Sequence, residues 1–243
     1  QKKAAAYLEA FYESKGFEPC NHGSFFQMVP LVNSQIMGGT LYVGEDTLVL
    51  VDDFLVYPGL ERPQLANTKL TFVGHGIVQE GWNDYKKFKG EGMVVMLDGQ
   101  PEGMAEQALS AKRLAADSLG AEAVIVAMPD ADFETRRSRM KKWMLRKSTS
   151  LNREKDGEGT DLPTLFIKQS TLDSWLAETK LKSIQNHANK LGSGKPTKAL
   201  AFKRRAALDI VQTTREYEAE NVLAFMEGSD PELKDEVLVI TSH

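Results

Sequence analysis

Hydrophobic and polar positions along the chain fall into segments with clearly different periods. From Lys2 to Lys15, Ala4, Leu8, Phe11 and Tyr12 share one helical face, and Gly16 stands where a left-handed cap closes a helix. Phe25 to Leu31 reads as a short strand, and Gly38-Gly39 marks a change of texture. Brief β segments follow at Leu41 to Val43, Thr47 to Val51, Leu70 to Val73 and Gly92 to Leu97. Met104 to Leu119 has helical spacing and ends on Gly120, which leads into the fully apolar run Ala123 to Ala127.

Leu162 to Ile167 predicts another strand, and Ser170 with Asp173 predicts a capping box that opens a helix around Leu172 to Glu178. Asn186 to Lys198 reads as loop, and Ala199 to Val211 alternates apolar with polar residues. Val222 to Met226 predicts a strand, Gly228 to Pro231 a turn, and Val237-Leu-Val-Ile240 a strand buried on both faces. Helices feeding strands of this kind predict a mixed α/β fold.

Composition narrows the class without naming a task. Hydrophobic residues at 42% and charged residues at 26% are those of an ordinary globular chain. Thirty Lys and Arg against thirty-four Asp and Glu give a net charge of -4, so the molecule as a whole has no bias toward nucleic acid. One cysteine, Cys20, excludes an internal disulfide or a thiolate metal cluster and leaves the redox compartment open. No apolar run is long enough to span a membrane as a helix. The amino terminus lacks a signal-peptide core, and a start at Gln1 without Met suggests a processed or truncated product.

Most chemical signals have a plain structural reading. His75 lies between Gly74 and Gly76, which favours a tight backbone over a catalytic base, and His22 and His187 read as surface residues. Gly192-Ser-Gly-Lys195 fails as a phosphate loop because Pro196 replaces the magnesium-binding hydroxyl. Asp156 to Asp161 fails as a calcium loop because Ile167 stands at the twelfth position. The basic run Arg136 to Lys147 predicts an amphipathic helix. A solvated basic face with Trp143 packed inward is favoured over contact with an anionic surface. No nucleophilic triad assembles. His243, just past the Val237 to Ile240 run, has the type and position of a metal ligand.

The segment Asn221-Val-Leu-Ala-Phe-Met-Glu-Gly-Ser-Asp-Pro-Glu-Leu-Lys-Asp-Glu-Val-Leu-Val-Ile-Thr-Ser-His243 closely resembles the opening of the catalytic domain of family-twenty-eight zinc peptidases. Ala4 to Pro19 and Gly23 to Leu31 resemble the first helix and strand of that family. Between them, Phe72-Val-Gly-His-Gly-Ile77, Tyr85 to Gly90, Gly92 to Leu97, Lys112 to Met128 and Leu162 to Ile167 resemble an inserted protease-associated domain. Pro129 to Asp161 departs from the pattern, being longer and more basic.

The resemblance implies a peptidase part at residues 1–37, a β-rich protease-associated insert with flanking helices at 38–216, and the start of the catalytic domain at 217–243. It implies two zinc ions in the parent enzyme with His243 as the first ligand, the other ligands following it, and a fragment inactive alone. It implies an aminopeptidase-type exopeptidase, peptide substrate, secreted or periplasmic location, and it is compatible with a homodimer. No catalytic or substrate-binding residue is assigned within this sequence. The rival expectation is a non-catalytic binding module or a dead receptor-type homologue.

Overall fold

The uninterrupted apolar runs Met93 to Leu97 and Ala123 to Met128 become neighbouring parallel strands, because a sheet covered on both faces can bury every residue of such a run. In the computed structural model, which describes residues 2–57, 63–152, 160–192, 196–233 and 235–242, the chain opens with α1 (Lys2–Ser14). Then come β1 (Glu18–Pro19), β2 (Phe26–Val43), β3 (Asp46–Val49), β4 (Phe54–Val56), β5 (Gln64–Phe72), β6 (Val78–Gln79) and β7 (Trp82–Asn83). The middle of the chain holds β8 (Met93–Leu97), α2 (Leu109–Ser118), β9 (Ala123–Met128), α3 (Asp130–Met144) and β10 (Ser148–Leu151). It closes with β11 (Thr164–Lys168), α4 (Gln169–Ala177), α5 (Ile184–Leu191), β12 (Leu200–Val222) and β13 (Ala224–Phe225). The fold is mixed α/β, as the patterning predicts.

The chain divides into two compact units. Unit 1 comprises Gln1–Asn33, Thr149–Glu154 and Thr214–His243; unit 2 comprises Ser34–Ser148 and Lys155–Thr213. In unit 2, β5, β8, β9 and β11 lie side by side and parallel, with Met93↔Ala123 and Thr164↔Val124 in register. Antiparallel β12 borders β5, and antiparallel β4 borders β11. β8 and β9 are buried from end to end. α2 ends on Gly120, whose φ of +84° admits the left-handed cap, with Gly120 N donating to Asp117 O and Ala121 N to Ala116 O. Across the sheet's edge, Asp46 of β3 accepts from Trp175 Nε1 of α4 at 3.0 Å and pairs with Arg204 of β12.

Several local expectations give way to tertiary packing. Gly38-Gly39 does not break the chain: β2 runs through both. A Cβ on Gly39 would come 2.4 Å from Ile210 Cδ1, so this glycine permits close approach inside a continuous strand. Residues 104–108 stay outside α2. The Ser170/Asp173 capping box does not form. α4 begins at Gln169, Ser170 N donates to Asp130 Oδ1 at 3.1 Å, and Asp173 accepts from Ile184 N at 2.7 Å. The predicted loop after Asn186 begins as the helix α5, capped by Ser183 Oγ on Asn186 N. Trp143 is not packed inward; Phe133 and Met144 anchor α3 instead. Much of the Asp156 to Asp161 turn, and Ser193 to Lys195, lie outside the described residues.

In unit 1 the beginning and end of the chain pair: Glu18 faces Phe225 and Pro19 faces Ala224 in an antiparallel ladder, and Leu223 N donates to Phe25 O at 2.7 Å. α1 ends in the left-handed cap its sequence predicts. Gly16 has φ +77°, Phe17 N donates to Tyr12 O, and the Tyr12 and Phe17 rings meet at 5.3 Å. Val237 to Ile240 is not a buried strand: these residues are exposed and carry no strand geometry. A run of this kind is buried only when strands flank it and helices cover it. Among the described residues nothing does so.

Candidate functional site

Ligand sites in parallel sheets lie beyond the carboxyl ends of the strands, where loops fan out over the sheet edge. In unit 2 that position after β5 is Val73-Gly74-His75-Gly76, and after β8 it is Asp98-Gly99. Gly74 and Gly76 have φ of +56° and +69°, and a Cβ on Gly76 would lie 2.8 Å from the Met96 sulfur. The backbone therefore folds tightly around a buried carboxylate, Asp84. Its Oδ2 accepts from His75 N and Ile77 N, each at 3.1 Å, and its Oδ1 accepts from Trp82 Nε1 at 3.0 Å.

A second layer of polar groups joins the two loops. His75 Nδ1 lies 3.2 Å from Gly99 O, which also accepts from Lys112 Nζ. Lys112 is buried because it takes an inward position of α2 one turn from Ala116. His187 of α5 packs beside His75 with ring centroids 5.8 Å apart, edge-on to Phe72 at 5.1 Å. Its Nδ1 lies 2.9 Å from Thr197 Oγ1, and its Nε2 meets no partner among the described residues.

Burial governs the electrostatics of the cluster. It pushes the His187 imidazole down to about 4, helped by the charges of His75 and Lys190. Burial also lowers His75, with Lys112 adding to the effect, and lowers Lys112 itself. It raises Asp84 against the pull of its hydrogen bonds, and raises Tyr85. Perturbed groups gathered in one place mark a candidate site. The chemistry available here is limited. Thr197 and His187 form a hydroxyl–imidazole pair, but among the described residues no third group orients the ring through Nε2. The cluster binds loops together and presents His75, half-exposed, beside the exposed carboxylate of Asp98.

His243, the metal ligand that the sequence suggests, lies outside the described residues. His22 is exposed in unit 1, as its surface reading holds, whereas His187 is buried, contrary to that reading. The signal for His187 was present: Ile184, His187 and Leu191 share one helical face, a spacing hidden by the loop-like residues that follow. Among the described residues no group of three His, Cys, Asp or Glu side chains could hold a metal ion. The described residues therefore do not make a zinc centre by themselves. No helix among them is long and apolar enough to cross a membrane.

No protein-family profile and no curated protein matches the chain. Among solved structures it is similar to an aminopeptidase from Aneurinibacillus sp. strain AM-1, at 14% identity and a TM-score of 0.37, over 95% of this chain and 43% of that one. It is also similar to a zinc aminopeptidase from Bacillus subtilis, at 13% identity and a TM-score of 0.35, over 94% of this chain and 42% of that one. A third neighbour is a peptidase M28 precursor from Shewanella amazonensis SB2B, at 15% identity and a TM-score of 0.35, over 94% and 46% of the two chains. The chain spans less than half the length of each of these proteins.

Proposed function

We propose that this chain is the amino-terminal and insert part of a zinc-dependent exopeptidase of aminopeptidase type. Unit 2 is read as the protease-associated insert, walling the cleft and helping to select the peptide. His243 is read as one zinc ligand. When bound, zinc would supply the Lewis acidity for peptide hydrolysis.

One observation carries this reading: the two segments that resemble peptidase in sequence, near Pro19 and near Phe225, pair with each other in unit 1. The segments resembling the insert fall in unit 2, which holds the buried hydrophobic core. That is the topology expected of a domain inserted into another.

The test uses the full-length protein that carries this chain. Hydrolysis of an aminoacyl nitroanilide should disappear with a chelator and return with zinc, and His243→Ala should lower the bound zinc. A full-length protein that holds no metal overturns the reading. If such a protein still binds peptide, it is a non-catalytic module.

A further inference from the structure

The exposed indole of Trp143 sits among cations. Arg139, Lys142 and Trp143 follow i, i+3, i+4 spacing on one face of α3, with Lys141, Arg146 and Lys147 around its C-terminal end. Trp143 is 47% exposed, and all five of these cations are exposed. Two neighbours behave differently: Arg136 stacks over the Phe166 ring at 4.4 Å, and Arg137 pairs with Glu134 at 2.8 Å. Among the described residues, none of the five outer cations has a carboxylate within ion-pair distance.

Favourable alignment with the helix dipole accounts for cations in the last turn of α3. It does not account for a solvent-facing indole between them. A chain of net charge -4 also concentrates positive charge here against its overall balance. We propose that this end of α3 is a docking surface for an anionic lipid bilayer, with the cations meeting phosphate and carboxylate headgroups and Trp143 entering the interface.

Charge complementarity supports the basic residues of such a surface, and the amphipathic ring of tryptophan suits the headgroup layer. A nucleic-acid strand is the weaker match. Such strands are held in grooves with successive aromatic platforms, whereas this is the face of one helix with one aromatic residue.

The test is co-sedimentation of the whole chain with phosphatidylcholine vesicles carrying about one-third phosphatidylserine, at low salt and at ~0.15 M salt. Binding should be strong at low salt, weaker at the higher salt and absent on pure phosphatidylcholine. R139E/K142E should weaken it by about tenfold or more, and W143A by roughly threefold. Circular dichroism checks that both exposed-face variants stay folded. Absence of binding to the anionic vesicles at low salt, or wild-type binding by R139E/K142E, overturns the proposal. So does tighter binding to a single-stranded oligonucleotide than to the vesicles.

Discussion

Ala123–Met128 and Val237–Ile240 are both continuous apolar runs, yet the first is the buried centre of a sheet and the second is exposed. Ile125 has no solvent contact, whereas Ile240 is 86% exposed. Composition cannot separate them, since both are rich in β-branched residues. Their surroundings can. β9 lies between β8 and β11, paired along its length with both, and α2 and α4 pack on it. Among the described residues Val237 to Ile240 has neither strand neighbours nor covering helices. An apolar run states that burial is worth having; the partners decide whether it happens.

The largest expected effect tests that difference. Ile125→Ala leaves a cavity in a closely packed sheet and should cost roughly 3–4 kcal/mol of unfolding free energy. Ile240→Ala removes atoms that already face water and should change stability by less than about 0.5 kcal/mol. Urea denaturation of both variants measures the gap. Equal costs would break the comparison, because they would mean that the second run is buried in solution.

The next effect comes from a polar group buried beside β5. His187 is neutral in the fold and takes a proton only near pH 4, whereas in the unfolded chain it does so near 6.5. The unfolded state therefore binds more protons between these values, and acidification favours it. Stability should fall as pH drops from about 6.5 to about 4, with His187 contributing about 3 kcal/mol of the loss. His75, also lowered, acts in the same direction, while Asp84, raised, opposes both. His187→Gln should flatten the slope measured by denaturation across this range. An unchanged slope in that variant removes the imidazole from the account.

The central parallel strands of unit 2 were legible because they are short apolar runs set off by glycines in left-handed backbone, as at Gly92 before β8 and Gly120 before β9. What was not legible depended on contacts distant in sequence. Ser170 and Asp173 have the spacing of a capping box, but Asp130 from α3 captures the Ser170 amide and Asp173 serves Ile184. Gly38-Gly39 resembles a break until Ile210 is brought against it. Trp143 has inward spacing by residue type, yet Phe133 and Met144 already fill the contact that α3 makes with its sheet. Of the candidate cluster, the glycine-flanked turn at His75 and the inward face of α5 that carries His187 have local signals. Asp84 from the turn after β7, Lys112 from α2 and His187 from α5 reach the His75 turn from separate parts of the chain, and no local spacing connects them.

The smallest expected effect returns to unit 1, where order near α1 rests on local geometry more than on burial. Of α1 only Ala5 is buried, while Leu8 and Phe11 of its predicted apolar face are exposed. The end of the helix is nevertheless well defined by Gly16 at φ +77° and by the Tyr12–Phe17 contact. A Cβ at Gly16 would meet nothing within 4 Å, so Gly16→Ala adds no clash. Its cost is the left-handed backbone alone, about 1 kcal/mol. That strain should appear as fraying of α1, seen as faster amide exchange at Gly16 and Phe17, with the β9 amides unchanged. A change in β9 exchange would mean that the two units unfold together, and the contrast between them would then be one of exposure and not of independent stability.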